Sequence, residues 1–177
     1  LFRSHITFIA NRHWLKEQDV PFPASKNIPS WFIKYNKSIN GSPTWKACPA
    51  LLDIMMSGYM LFTPCDITFY QNENGIDVSV SEKKYEDFCV KRGPIDGFPV
   101  PDGYDNSSFA WVGIWGIETP KEYSCIFINP ANRFDLPFIN TVGIIDTDNV
   151  GLPGSLPFFI TKGWTGTIPK GTPYAQI

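Results

Sequence analysis

Residues 109–177 are built from short apolar runs, FAWVGIWGIET, EYSCIFIN, INTVGIID, LPFFITK, GWTGTI and TPYAQI, each closed off by Pro, Gly, Asn or Asp. Their β-branched and aromatic residues favour strands, and the punctuating residues favour turns. Short strands at this spacing predict an all-β sandwich, barrel or related core. Upstream, YMLFTPCDITFY and GIDVSVS predict a hairpin: Asn74-Gly75 supplies the turn, and Ile76, Val78 and Val80 alternate with polar residues. CPALLDIMMSGY carries a different period. Pro49 suits a first helical turn, Leu51, Leu52, Met55 and Met56 share a face, and Gly58 is placed to end the helix.

Two regions lack a sustained period. Residues 1–46 mix Phe8, Trp14, Phe22, Trp31, Phe32, Tyr35 and Trp45 with prolines and basic residues, which predicts irregular, extended structure held down by aromatics. Residues 81–108 are charged and then rich in Pro, Gly and Asp, predicting a short helix or turn and then a long loop able to reach a neighbour. The expected organisation is one mainly β domain with one or two short helices. Its parts are an irregular segment over 1–46, a helix over 47–58, a hairpin and loop over 59–108, and a strand-rich core over 109–177.

Composition supports this reading. A chain of 177 residues with 43% hydrophobic content can bury one sizeable core, and its 16 prolines and 14 glycines, scattered between apolar runs, count against a helical bundle. No apolar run approaches the roughly 18 to 20 residues that span a bilayer, and the N-terminus lacks the order of a signal peptide. The expectation is a soluble protein, cytoplasmic or virion-associated and not secreted. The chain starts at Leu and stops within a predicted strand, so it reads as a piece of a longer gene product.

Chemistry is narrowed by scarcity. Cys48, Cys65, Cys89 and Cys125 have no CxxC spacing, and only His5 and His13 exist to join them, so no metal site is expected and the thiols are read as free. Too few imidazoles are present for histidine-ligated oxygenases, cupin metal sites or Ser-His-Asp hydrolases, and His13 reads as a surface residue. Residues 1–46 hold Arg3, Arg12, Lys16, Lys26, Lys34, Lys37 and Lys46 against Glu17 and Asp19, so the segment is +5 within a chain of −2. That imbalance suits either a solvated segment or an arm docking on an acidic surface. With a pI near 5.6, it makes no nucleic-acid patch.

The order of the final segments resembles the trimeric dUTPase and dCTP deaminase superfamily, the β-clip fold. In that family a strand ending in G-V-I-D-x-D-Y-x-G is followed by G-x-R-I-A-Q. Here GIIDTDNVG, residues 143–151, is similar to the first pattern and GTPYAQ, residues 171–176, to the second, with Gly171 28 positions after Gly143. The family's P-x-G-Y strand leading to P-R-S is echoed by Pro120–Tyr123 and Asn129–Arg133. The resemblance covers residues 110–177 and implies a β-clip core and a homotrimer.

By the same resemblance, Asp146 stands where an aspartate orients the attacking water. Asn149 replaces the tyrosine that packs on deoxyribose. Ala131 and Asn132 replace the arginine and serine that hold phosphates, with Arg133 one step away, and Met60 falls where a metal-associated aspartate belongs. The glycine-rich closing motif has no counterpart in the sequence. The segment TPKEYSCIFINPANRFDLPF with GIIDTD also resembles an uncharacterised family of phages and marine bacteria, from which no activity carries over.

These departures imply a non-catalytic β-clip protein with a structural or accessory role, requiring no cofactor. One alternative is a divergent nucleoside triphosphate pyrophosphatase with Asp146 as base and Mg²⁺ as cofactor; another is a small-molecule module with a pocket between subunits. The candidate ligand residues are Asn132, Arg133, Asp148, Asn149 and Gln176. Each has a plainer reading. Asp146 and Asp148 can shape a turn, Arg133 can pair with Asp135, and Gln176 can belong to a strand at a subunit junction.

Overall fold

The computed structural model describes residues 5–13, 15, 20–94, 96–151 and 154–177, so expectations resting on Arg3, Trp14, Lys16, Glu17 and Asp19 lie outside the described residues. The strands run in chain order as β1 (Thr7–Ala10), β2 (Phe22–Pro23), β3 (Ser38–Ile39), β4 (Ser42–Pro43), β5 (Tyr59–Phe62), β6 (Ile67–Asn72), β7 (Gly75–Val80) and β8 (Cys89–Pro94). They continue as β9 (Tyr104–Val112), β10 (Trp115–Glu118), β11 (Cys125–Phe127), β12 (Phe138–Asn140), β13 (Gly143–Ile145), β14 (Ser155–Thr161), β15 (Gly166–Ile168) and β16 (Pro173–Gln176). Two short helices, α1 (Ser30–Lys34) and α2 (Pro49–Met56), precede β5. The chain is therefore mainly β, as its pattern predicts, but among the described residues the strands form several small sheets that do not close into a barrel.

The central sheet has the order β12-β14-β9-β8, all antiparallel. Five consecutive residues of β9, Ser107 to Trp111, are buried, so this strand is covered on both faces and does not alternate. Trp111 stacks on Phe158 of β14 with centroids 4.0 Å apart and planes 8° from parallel. Phe138 and Tyr174 also pack against the Trp111 ring. Burial of such large rings stabilises the fold by about 1.5–3 kcal/mol each relative to exposure. The core also takes Leu61, Ile67, Phe69, Ile76 and Phe88 from residues 59–108, so it is not confined to the region 109–177.

The β6–β7 hairpin pairs Asn72 with Gly75, and Gly75 takes the positive φ of 94° that the Asn-Gly turn needs. Helix α2 begins at Pro49 as expected, with Met55 buried, whereas Met56 is exposed. The expected loop after residue 81 contains a strand, β8, whose Lys91, Arg92, Gly93 and Pro94 disguised it. Such residues are tolerated because β8 is the edge of its sheet, where charge and proline discourage further pairing. Residues 1–46 likewise contain β1, paired with β10, and α1, whose Phe32 is buried.

Beneath the turn in GIIDTDNVG, the chain makes one sheet switch that shapes the candidate site. After β9, the Gly113 N–H still bonds the Gly154 carbonyl next to β14, the Ile114 carbonyl already accepts the Asn11 N–H next to β1, and β10 leaves the central sheet to pair with β1. Trp111 and Trp115 therefore lie on different strands: Trp111 enters the core, and Trp115 stands half-buried beside it.

Candidate functional site

The sequence GIIDTDNVG builds a strand and then a single helical turn. Gly143 to Ile145 pair with Phe127 to Cys125 as the β11–β13 ribbon. The Asp146 carbonyl then accepts the backbone N–H groups of Asn149 and Val150, each at 3.0 Å. The Asp146 side chain faces the neighbouring turn, where Ser124 Oγ donates to its Oδ1 at 2.8 Å. Asp148 is tied to the same turn. Its Oδ2 accepts the Glu122 N–H at 2.9 Å, and its Oδ1 accepts Asn149 Nδ2 at 2.9 Å. Glu122 holds φ at 73°, a conformation uncommon for a side chain with a Cβ, and the Asp148 carboxylate engages its N–H there. Between the two acids, Thr147 is buried, with its hydroxyl 2.7 Å from Thr119 Oγ1 and 3.4 Å from Cys125 Sγ.

Asp146 and Asp148 thus fasten the segment 119–125 to the end of β13, and Asn149 braces the Asp148 carboxylate. Among the described residues, no group of three or more His, Cys, Asp or Glu is arranged to hold a metal ion.

The other candidate residues lie at a second junction. Arg133 makes a bidentate pair with Asp135, Nε to Oδ1 at 2.8 Å and Nη2 to Oδ2 at 2.7 Å. Asn132 adopts φ of 56°, its carbonyl accepts the Trp31 indole N–H at 3.1 Å, and its Nδ2 is buried with no partner among the described residues. Gln176 is 1% exposed and points inward: Nε2 donates to the carbonyls of Ile54 and Ser57 at 2.7 and 2.8 Å, and Oε1 accepts the Ala131 N–H at 2.9 Å. Its amide thereby bonds three backbone groups of this chain and caps the end of α2.

Hydrogen bonding to the Arg133 guanidinium holds the Asp135 carboxyl below its ordinary value of 3.8. A depressed carboxyl contributes stability that is fully present above the unfolded value and is lost as pH falls through the lower folded value. The Asp135 side chain is 57% exposed, so solvent screening limits the expected contribution to about 1 kcal/mol or less. Acid titration of Asp135→Asn against the parent should show stability curves converging only below about pH 4.

Two further buried thiols are chemically quiet. Burial pushes the Cys65 and Cys89 thiols up, Cys89 strongly, so neither is a thiolate nucleophile near neutrality.

The sheet switch and the turn border a partly open cavity of about 170 Å³ that the motif did not announce. Trp115 and Ile117 of β10, Phe127 of β11, Ile145 of β13 and Leu156 of β14 supply its apolar walls. Thr147 lines it as well, whereas Asp146 and Asp148 do not. The close approach of β10 to the turn requires glycine: a Cβ on Gly116 would lie 2.3 Å from the Gly151 carbonyl oxygen.

The polar atoms of the cavity wall are mostly spent. Thr141 Oγ1 donates to the Pro157 carbonyl, Thr147 bonds Thr119, and Ser155 Oγ accepts from Arg92. Trp115 differs: its indole Nε1 is buried without a partner among the described residues, whereas the Trp111 indole donates to Asn140 Oδ1 at 3.0 Å. A sequence reader had one signal for this wall, Gly113 and Gly116 flanking Trp115, which mark a strand that bends and packs closely. Among the described residues, no lysine, arginine or histidine lines the cavity. No protein-family model matches the chain, and neither a curated protein nor a solved structure does.

Proposed function

We propose that this is a non-catalytic binding domain of β-clip-like descent that holds a small, largely apolar molecule in the cavity under Trp115. The observation that carries the reading is the division of labour at the turn. The carboxylates of Asp146 and Asp148 bond to the 119–125 segment and to Asn149, while the partly open space beside them is largely apolar and, among the described residues, lined by no cationic side chain. Triphosphate hydrolysis needs cations or converging N–H groups at the phosphates as well as a base, and Arg133 is already paired with Asp135.

Naphthalene is a suitable first probe, because a cavity of about 150 Å³ can hold a benzene ring. Calorimetry should show one saturable site per chain. Val150 lines the cavity but is 50% exposed, so Val150→Trp can obstruct the site without crowding the core, and it should weaken naphthalene at least about tenfold. Absence of saturable binding, or pyrophosphate release from deoxynucleoside triphosphates with Mg²⁺, would sink the proposal.

A homo-oligomer, with a trimer as the favoured form, is the second part of the reading. The β11–β13 ribbon places Ile126 opposite Ile144, and these side chains are 48% and 70% exposed, with Val142 beside them at 63%. An apolar cross-strand pair left in water is the kind of patch that a second copy covers. Light scattering should give a mass above that of one chain, and Ile144→Lys should shift it to the monomer; a parent that is already monomeric at high concentration removes this part.

A further inference from the structure

We infer that a second copy of this chain covers the β11–β13 ribbon with a different surface, the projection formed by residues 33–46, so that copies join head to tail. The inference rests on the oligomer reading above and names the two faces that meet.

Residues 33–43 are exposed without interruption, and none of residues 33–50 belongs to the hydrophobic core. The segment is ordered all the same. Strands β3 and β4 pair across Asn40 and Gly41, whose φ values of 50° and 80° suit a tight hairpin turn. At its base, Thr44 donates its N–H to the Lys37 carbonyl at 2.9 Å and its hydroxyl to the Asn36 carbonyl, and Lys46 Nζ donates to the Ile33 carbonyl. This built projection holds Ile33, Tyr35, Ile39 and Trp45 in water, with Trp45 67% exposed. Large side chains on a pre-formed surface, tryptophan above all, are what anchor one protein on another.

Charge names the partner. From Val20 to Leu52 the chain holds Lys26, Lys34, Lys37 and Lys46 and no acid. The ribbon is the reverse. Around its exposed Ile126, Val142 and Ile144, the segments 118–126 and 141–151 hold Glu118, Glu122, Asp146 and Asp148 against one cation, Lys121. Among the described residues, none of these lysines and acids takes part in an ion pair, and the hydrogen bonds that hold Asp146 and Asp148 come from neutral groups.

Each surface is thus apolar with charge of mainly one sign, and the two signs are opposite. Projection on projection sets lysine against lysine, and ribbon on ribbon leaves the carboxylates without a counter-charge. Projection on ribbon covers apolar side chains on both sides and matches the charges. A contact between two different surfaces of one chain repeats from copy to copy and closes into a ring when the rotation permits, as a trimer requires; a two-fold dimer uses one surface twice.

Trp45→Glu and Ile144→Lys test this, one on each face, and both positions are largely in water, so neither change crowds the core. By analytical ultracentrifugation each variant alone should be monomeric where the parent is assembled, its dissociation constant raised at least about tenfold. An equimolar mixture should reassemble, because the intact ribbon of Trp45→Glu meets the intact projection of Ile144→Lys. That recovery would also show both chains to be folded. Lys34→Glu combined with Lys37→Glu, at two exposed lysines, should behave as Trp45→Glu does. Projection variants that assemble like the parent, or a mixture that stays monomeric, overturn the inference and leave the oligomer reading intact. A parent that is itself monomeric at high concentration overturns both together.

Discussion

Gln176→Leu should cost about 3–5 kcal/mol of folding stability, measured as a fall in the denaturant midpoint at unchanged slope. The leucine is similar in volume, so packing is largely kept and the effect reports hydrogen bonding. Three backbone groups lose their partner at once: the carbonyls of Ile54 and Ser57 at the end of α2, and the N–H of Ala131. A buried group left unsatisfied costs about 1–3 kcal/mol, and here water has little access because Gln176 is 1% exposed. A loss below about 1 kcal/mol would mean that α2 readily finds other partners, and that Gln176 is not the tie between α2, β16 and the turn at Ala131.

The second large effect is expected at Gly58. Gly58→Ala should destabilise the chain by more than about 3 kcal/mol, enough to lower the melting temperature by several degrees. Two causes add. Gly58 holds φ of 67°, a region that L side chains rarely adopt, and its added Cβ would lie 1.7 Å from the carbonyl oxygen of Ile177. That oxygen cannot simply move aside, because it accepts the Tyr59 N–H at 2.7 Å. Gly75→Ala makes the control. It also has a positive φ, but no atom lies within 4 Å of its added Cβ, so its cost should be only the conformational penalty of about 1 kcal/mol. Equal losses at the two glycines would refute the packing argument.

Some of this architecture was open to a reader of the sequence. Asn74-Gly75 and the alternation through Val80 fixed a hairpin, because a turn and a two-residue period are local properties. Pro49 and Gly58 bracketed α2 for the same reason. Strand β8 was hidden because edge strands tolerate the residues that mark loops, and its pairing with β9 is a tertiary property. The switch of β10 away from the central sheet was hidden as well. Nothing local to Trp115 says that its strand joins β1, more than a hundred residues upstream.

The candidate site was legible in position, while its chemistry stayed open between a turn and a ligand site. The spacing of GIIDTDNVG picked out a real turn, but a carboxylate in a turn reads alike whether it bonds water, a cation or its neighbours. Only the bonds from Ser124 to Asp146 and from Glu122 to Asp148 show what these acids hold. Gln176 was read as a junction residue and does join elements, but within one chain. The indole of Trp115 could not be flagged, because an unpaired donor is defined by what is missing around it.

The pairing of β16 with β5 carries a consequence for synthesis. The sheet of β5 lacks one flank until Pro173–Gln176 exist, yet β5 leaves the ribosome about a hundred residues earlier. At a translation rate of roughly 5–20 residues per second, that edge stays unmated for about 5–20 s. Tyr59, Met60, Leu61 and Phe62 are exposed to wrong partners during that interval. Production of this protein in a heterologous host should therefore depend on chaperone supply and slow, cool expression, and its losses should appear as nascent-chain aggregation rather than as instability of the finished molecule.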